Sequence, residues 1–270
     1  DMLYPKGTSH SIPIISVTGT TGKTTTVRMI SHIFKVYGYS VGMTTTGGIY
    51  IDDKLIISGD TTGPISAQTL LSEKDIDIAV LETARGGIIR SGLGYDLSDV
   101  GILTNISEDH LGLDNIHTLD DLLHVKSLVV EAVKDDGYAI LNADDPMVVK
   151  AMDNIKSNII LFSTHENNIV VHKHIAKGGT ALFIKDELIT IATKDHVIQS
   201  MYVSQIPATF GGKLIYNLEN VLAAVSAAYT LKVPLHIIEK AVYSFYSDSM
   251  QNPGRFNIFN IGGFRIVLDY

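Results

Sequence analysis

The chain has 270 residues, 45% of them apolar and 19% charged, which excludes a disordered polypeptide and permits a sizeable core. Its 21 basic and 29 acidic side chains give a net charge of −8, and no long Lys/Arg run occurs, so nucleic acid and anionic membrane are poor partners by bulk electrostatics. Cysteine is absent, which excludes a disulfide framework, a thiolate metal site and a cysteine nucleophile, and fits a reducing, cytoplasmic setting.

In chain order, I-I-S-V (14–17) reads as a short buried strand. Val27, Ile30, Ile33, Phe34 and Tyr37 then recur at helical spacing until Gly38. Residues 41–45 read as a strand and 50–57 as a hairpin turning at Asp52-Asp53-Lys54. A short helix is expected over 66–72, and strands over 78–81 and 100–104. Residues 118–134 carry a helical stripe that includes Lys126, and strands are expected at 138–142 and 158–162. Nearly continuous apolar strands alternating with helices predict an α/β fold, a mostly parallel sheet covered by helices on both faces. Residues 169–215 read as short alternating strands with Gly178-Gly179 and Gly211-Gly212 at turns, a small antiparallel insert or subdomain. Helices return over 217–245, and strands at 256–260 and 264–268 close the chain. No apolar run reaches the roughly 20 residues that cross a bilayer, and the start lacks the pattern of a secretory signal. The final I-V-L-D-Y stops in or just past a strand, as expected of a piece of a longer protein.

The strongest local signal is G-T-T-G-K-T-T (19–25), between a strand and a helix. Glycines let successive backbone N–H groups gather on phosphate oxygens; Lys23 would reach the β- and γ-phosphates, and the Thr24 hydroxyl would ligate Mg²⁺. Gly19, Thr20, Thr21, Gly22 and Thr25 complete the loop. Val17 stands where the general phosphate-loop pattern has its first glycine, and the competing reading is an ordinary strand–turn–helix with a chance lysine. Glu82 ends an apolar strand, either as a metal carboxylate or as a strand-end acid facing water. Thr44–Thr46, Thr104-Asn105 and Asn142 also follow strands at that end of the sheet. His110 is a candidate metal ligand or phosphate contact, with a structural role as the alternative. His117, His124, His172 and His174 read as surface, the last two on one strand face. Arg85 and Arg90, with the glycines of 84–94, read as a flexible cationic loop suited to an anionic substrate or simply solvated.

G-T-T-G-K-T-T, L-E-T-A-R-G-G, T-N-I-S-E-D-H-L-G, L-N-A-D-D, Y-N-L-E-N-V-L-A-A and N-P-G-R-F occur in this order and resemble the Mur ligase family. The form is similar to the Mur-ligase-like C-terminal half of cyanophycin synthetases. The resemblance runs from about residue 12 to the end, and its combination of motifs is far more specific than any one of them. It implies an ATP-binding central domain over 1–270, with the N-terminal and C-terminal ligase domains outside this stretch. It also implies ATP, Mg²⁺, and a carboxylate joined to an amine through an acyl phosphate. Residue by residue, it implies phosphates and metal at Lys23 and Thr24, and metal at Glu82 and His110. Lys126 would match a lysine that many members carbamylate, Asn217 and Asn220 the adenine side, Arg255 the γ-phosphate, and Asp269 the ribose. The expected substrates are a polymer or small-molecule carboxylate and an amino acid, arginine on the aspartate β-carboxylate of a growing polymer, with Arg85 and Arg90 at the polymer end. The alternatives are a peptidoglycan-precursor or folylpolyglutamate-like ligase, or a phosphate-loop module without ligase chemistry. The stretch alone is expected to bind ATP without forming an amide, and an oligomeric full-length protein is compatible with the sequence.

Overall fold

The computed structural model describes residues 12–108 and 111–270. The chain begins with β1 (Ile14–Thr18), α1 (Lys23–Tyr37), β2 (Val41–Thr45), β3 (Gly48–Ile51) and β4 (Lys54–Ser58). It continues with α2 (Pro64–Leu71), β5 (Ile78–Glu82), α3 (Arg85–Ser91), β6 (Ser98–Leu103), α4 (Leu119–Glu131) and β7 (Val133–Asn142). Then come α5 (Pro146–Lys150), β8 (Asn158–Ser163), α6 (Ile169–Ala176), β9 (Thr180–Lys185), β10 (Leu188–Ala192) and β11 (Val197–Tyr202). The last elements are α7 (Ile215–Thr230), α8 (Leu235–Val242), β12 (Asn257–Ile261) and β13 (Phe264–Leu268).

Eleven strands form one sheet in the order β11-β10-β9-β8-β7-β6-β1-β5-β2-β3-β4. The run from β9 to β2 is parallel, and antiparallel pairs finish both edges. The central strands are buried on both faces, which is why they read as unbroken apolar runs. Along β7, Ile140 joins the core under α1, α7 and α8, while its neighbours Ala139 and Leu141 join the core on the opposite face with α4. Two consecutive left-handed residues, Asp52 (φ 47°) and Asp53 (φ 68°), make the tight β3–β4 turn that the sequence announces. No helix among the described residues is long and apolar enough to cross a membrane.

Two stretches differ from expectation. Residues 169–176 are a helix, not a strand, because Asn168 accepts the N–H groups of Val170 and Val171 and caps it. His172 and His174 therefore ride on α6, where their Nε2 atoms meet the carbonyls of Glu166 and Ile159. The strands that follow are antiparallel to each other, but β9 pairs in parallel with β8, so they extend the main sheet at its edge. Residues 85–91, read as a flexible loop, are the helix α3 despite two glycines. A side chain at Gly87 would start 3.0 Å from the Gly63 Cα, so the glycine permits close packing on the start of α2.

Candidate nucleotide and metal site

β1 lies between β5 and β6, and the loop leaving its carboxyl end opens α1. In a doubly wound sheet this is where ligands bind. Gly22 caps α1 in the left-handed region (φ 82°), and no side chain caps the helix. The Thr26 N–H donates to the Gly22 carbonyl at 2.9 Å and closes the first turn, and a helix start of this kind suits an anion because its first N–H groups have no intrahelical acceptor. The loop itself is braced from the segment after β6. Thr20 N–H donates to the Asn105 carbonyl (3.0 Å) and Thr21 N–H to Asn105 Oδ1 (2.9 Å). The Thr104 hydroxyl donates to the Thr21 carbonyl at 2.8 Å. The Thr20 and Thr21 N–H groups are thus taken up by this bracing.

The Lys23 ammonium donates to the carbonyls of Gly19 and Thr20, which holds it at the loop rim. Glu82 ends β5 and is 2% exposed; its Oε2 accepts from the Thr24 hydroxyl (2.8 Å) and from Thr46 N–H (3.2 Å). Burial pushes the Glu82 carboxyl above the ordinary carboxylate range, while Lys23, the two hydrogen bonds and Arg255 pull it back. Arg255, 231 residues along the chain, donates to the Thr24 hydroxyl at 3.3 Å. Asn220 accepts from Thr26 and donates to Asn217, whose own amide donates to the Ala208 carbonyl. Asp269 accepts the Phe256 N–H at 3.2 Å.

These groups enclose a cleft of about 740 Å³, lined by residues 20–25, Thr46, Glu82, Asn105, Tyr216, Asn217, Glu219, Asn220, Arg255, Phe256, Asp269 and Tyr270 among others. That volume and its polar wall suit a nucleotide-sized ligand. The oxygens of Thr24 and Glu82, 2.8 Å apart on its floor, fit a hard divalent ion. Among the described residues no group of three or more His, Asp or Glu side chains is arranged to hold a metal ion by itself, so phosphate and water oxygens would have to complete the coordination, as they do for Mg²⁺ on nucleotides.

Lys126 is 3% exposed on α4 and donates to the Thr20 hydroxyl at 3.1 Å, which puts it behind the phosphate loop. Arg85 and Arg90 stand on α3, away from the cleft lining; Arg85 pairs with Asp114 at 3.2 Å and Arg90 is exposed. His110 lies outside the described residues. Three groups escaped the sequence reading. Buried Asn252 donates to the Thr25 hydroxyl (3.2 Å) and ties the Arg255 turn to α1; its place at the head of N-P-G-R-F was the available signal. Glu219 lines the cleft, its carboxyl raised by burial, and had no signal beyond lying between two asparagines. Tyr216 and Phe256 form an aromatic wall that local sequence does not reveal.

A side chain at Gly22 would begin 2.3 Å from Asn220 Oδ1, at a backbone angle that L residues rarely adopt. Gly22→Ala is expected to cost about 2–3 kcal/mol in thermal or urea unfolding, from the left-handed strain and the displaced amide. It should also weaken nucleotide binding; an unchanged midpoint would mean the Asn220 contact is dispensable.

The Mur ligase middle domain profile matches residues 17–228. The chain is 45% identical over all 270 residues to the cyanophycin synthetase of Trichormus variabilis, of which it covers 30%. MurF from Acinetobacter baumannii shares the fold with a TM-score of 0.68 at 21% identity, over 96% of this chain and 50% of that one. A bifunctional folylpolyglutamate synthase/dihydrofolate synthase, solved with Mn, AMPPNP and L-glutamate bound, aligns with a TM-score of 0.65 at 18% identity, over 95% of this chain and 62% of that one. The chain thus spans about 30% of the length of the curated relative.

Proposed function

Because the chain belongs to the Mur ligase family, through its middle domain, we propose that it is the ATP-binding part of an ATP-dependent carboxylate–amine ligase. The observation that carries this reading is one cleft in which Lys23, Arg255, Thr24 and Glu82 converge at the start of an uncapped helix. Phosphoryl transfer to a carboxylate must bring two anions together. Lys23 at the loop rim and Arg255 beside the Thr24 hydroxyl would neutralise the γ-phosphate and hold it in line for attack. Thr24 and Glu82 would hold Mg²⁺, which supplies further charge neutralisation on the phosphates. The acyl phosphate so formed has an activated carbonyl, and an amine displaces phosphate to leave an amide.

The finer assignment is our reading of the motif resemblance to cyanophycin synthetases: arginine would be added to an aspartate β-carboxylate of a growing polymer, in the cytoplasm. Arg85 and Arg90, on α3 outside the nucleotide cleft lining, would hold the acidic acceptor, Arg85 by exchanging its ion pair with Asp114. The full-length protein, assayed for phosphate release from ATP, should respond only when arginine and an aspartate-bearing acceptor are both present. Slow release indifferent to both would favour a nucleotide-binding module without ligase chemistry.

Lys126 is expected to carry a carbamate. Its burial against Thr20 puts the side-chain end beside the phosphate loop and away from bulk water. Mass spectrometry under carbon dioxide, or density at Nζ, should reveal one added carboxylate. Lys126→Ala should lose most ligase turnover and regain part of it with short carboxylic acids; an unmodified amine with no such rescue would contradict this role.

A further inference from the structure

Arg28 is 7% exposed on α1 and stands outside the cleft lining. A buried charge is costly unless it is paired. The Arg28 Nε has no hydrogen-bond partner, and no ion pair among the described residues includes this side chain. Its guanidinium lies instead over the ring of Tyr50, 4.8 Å from the centroid, and so joins α1 to β3. An apolar side chain would fill the space between these elements without desolvating a charge. A guanidinium stacked on a ring fixes distance and orientation as well, and charge kept at such a cost points to a site whose geometry matters.

Both partners stand next to the groups that would hold the metal. Arg28 follows Thr24 by four residues, so the two share one face of α1. Tyr50 pairs with Met43 across the β2–β3 hairpin, whose turn is Thr46-Gly47. A side chain at Gly47 would begin 3.0 Å from Tyr50 Oη and 3.7 Å from Arg28 Nη2, so the ring and the guanidinium both lie close against this turn. The turn then reaches the carboxylate. Thr46 N–H donates to Glu82 Oε2 at 3.2 Å, the Thr24 hydroxyl donates to the same oxygen at 2.8 Å, and the two threonine hydroxyls are 3.5 Å apart. Because both bonds end on Oε2, the spacing of the turn from α1 sets the orientation of the carboxylate.

We propose that Arg28, acting through the Tyr50 ring, is a positioning residue for the metal site: it holds the Thr46-Gly47 turn against α1 and thereby keeps Thr24 and Glu82 in register for one ion. The inference rests on the reading of Thr24 and Glu82 as the magnesium oxygens. Arg28 itself would touch neither metal nor nucleotide.

The test titrates Mg²⁺ against ATP binding by calorimetry on the 270-residue chain and its variants, each with a thermal melt. Arg28→Met and Tyr50→Leu should each raise the Mg²⁺ concentration at half-effect about tenfold, as loss of a group that orients a metal ligand does, and leave ATP binding with the metal chelated within about twofold of the parent. Tyr50→Phe keeps the ring and should restore the parent midpoint. Folded Arg28→Met and Tyr50→Leu with a lowered melting temperature but a Mg²⁺ midpoint within about twofold of the parent would overturn the proposal, because packing alone would then explain the contact. An equal loss of ATP binding with and without metal would overturn it too. If neither variant folds, Arg28→Lys decides: a compact ammonium stacks less well, so the midpoint should rise about threefold, and an unchanged midpoint overturns the proposal. A parent chain whose ATP binding ignores Mg²⁺ would instead refute the magnesium reading of Thr24 and Glu82.

Discussion

Replacing Lys23 with alanine is expected to lower nucleotide turnover by about 10²–10³-fold, the cost of removing one preorganised charge from a phosphoryl-transfer site. The fold should survive. Lys23 lies at the loop rim, and its ammonium bonds to the carbonyls of Gly19 and Thr20, not to the core. The core under α1 is made by Val27, Ile30, Ile33 and Phe34, which the substitution leaves in place. Steady-state phosphate release in the full-length protein together with a thermal melt separates the two effects. A variant that unfolds, or one that turns over ATP like the parent, would contradict the assignment.

Glu82→Gln should act in opposite directions on stability and on function. The carboxylate is buried, and burial raises its pKa in the folded chain above the unfolded value. The folded state therefore holds the proton more tightly. Stability from this group is full below the unfolded pKa and is lost as pH rises through the folded pKa, so the group weakens the fold as pH rises towards neutrality. Removing the charge at nearly constant shape should raise the melting temperature, with a gain that grows as pH rises from about 4 towards neutrality. The same change should remove most of the Mg²⁺ dependence of ATP binding, because one of the two oxygen donors on the cleft floor loses its charge. Unchanged magnesium dependence would leave Glu82 as a buried strand-end acid. This opposition is what a functional carboxylate held at a cost in stability should show.

The phosphate-loop end of the site was legible because its signals are local. An apolar strand, a polar loop between two glycines and an amphipathic helix follow one another within two dozen residues, and Glu82 closes a strand of the same kind. Buried Lys126 was legible from its place on the apolar stripe of α4, which the structure confirms at 3% exposure. The elements misread were those in which local pattern and tertiary context disagree. I-V-V-H-K-H-I-A has the β-branched composition of a strand, yet a side-chain cap from Asn168 and burial of Val171 make it helical. R-G-G-I-I-R-S has the composition of a loop, yet Gly87 packs against the start of α2 and the segment winds into α3. The aromatic wall of the cleft was the least legible part. Asn252 meets Thr25 across 227 residues, which no window of sequence contains, while the hydrogen bonds of Asp269 and Asn257 around Phe256 are near in sequence but have no signature in residue type.

Calorimetric titration of ATP into the 270-residue chain, with Mg²⁺ and with the metal chelated, tests the central claim most directly. The arrangement of Lys23, Thr24, Glu82 and Arg255 predicts one saturable site per chain that weakens sharply when the metal is removed. Absence of binding, or binding of equal strength with and without metal, would contradict it.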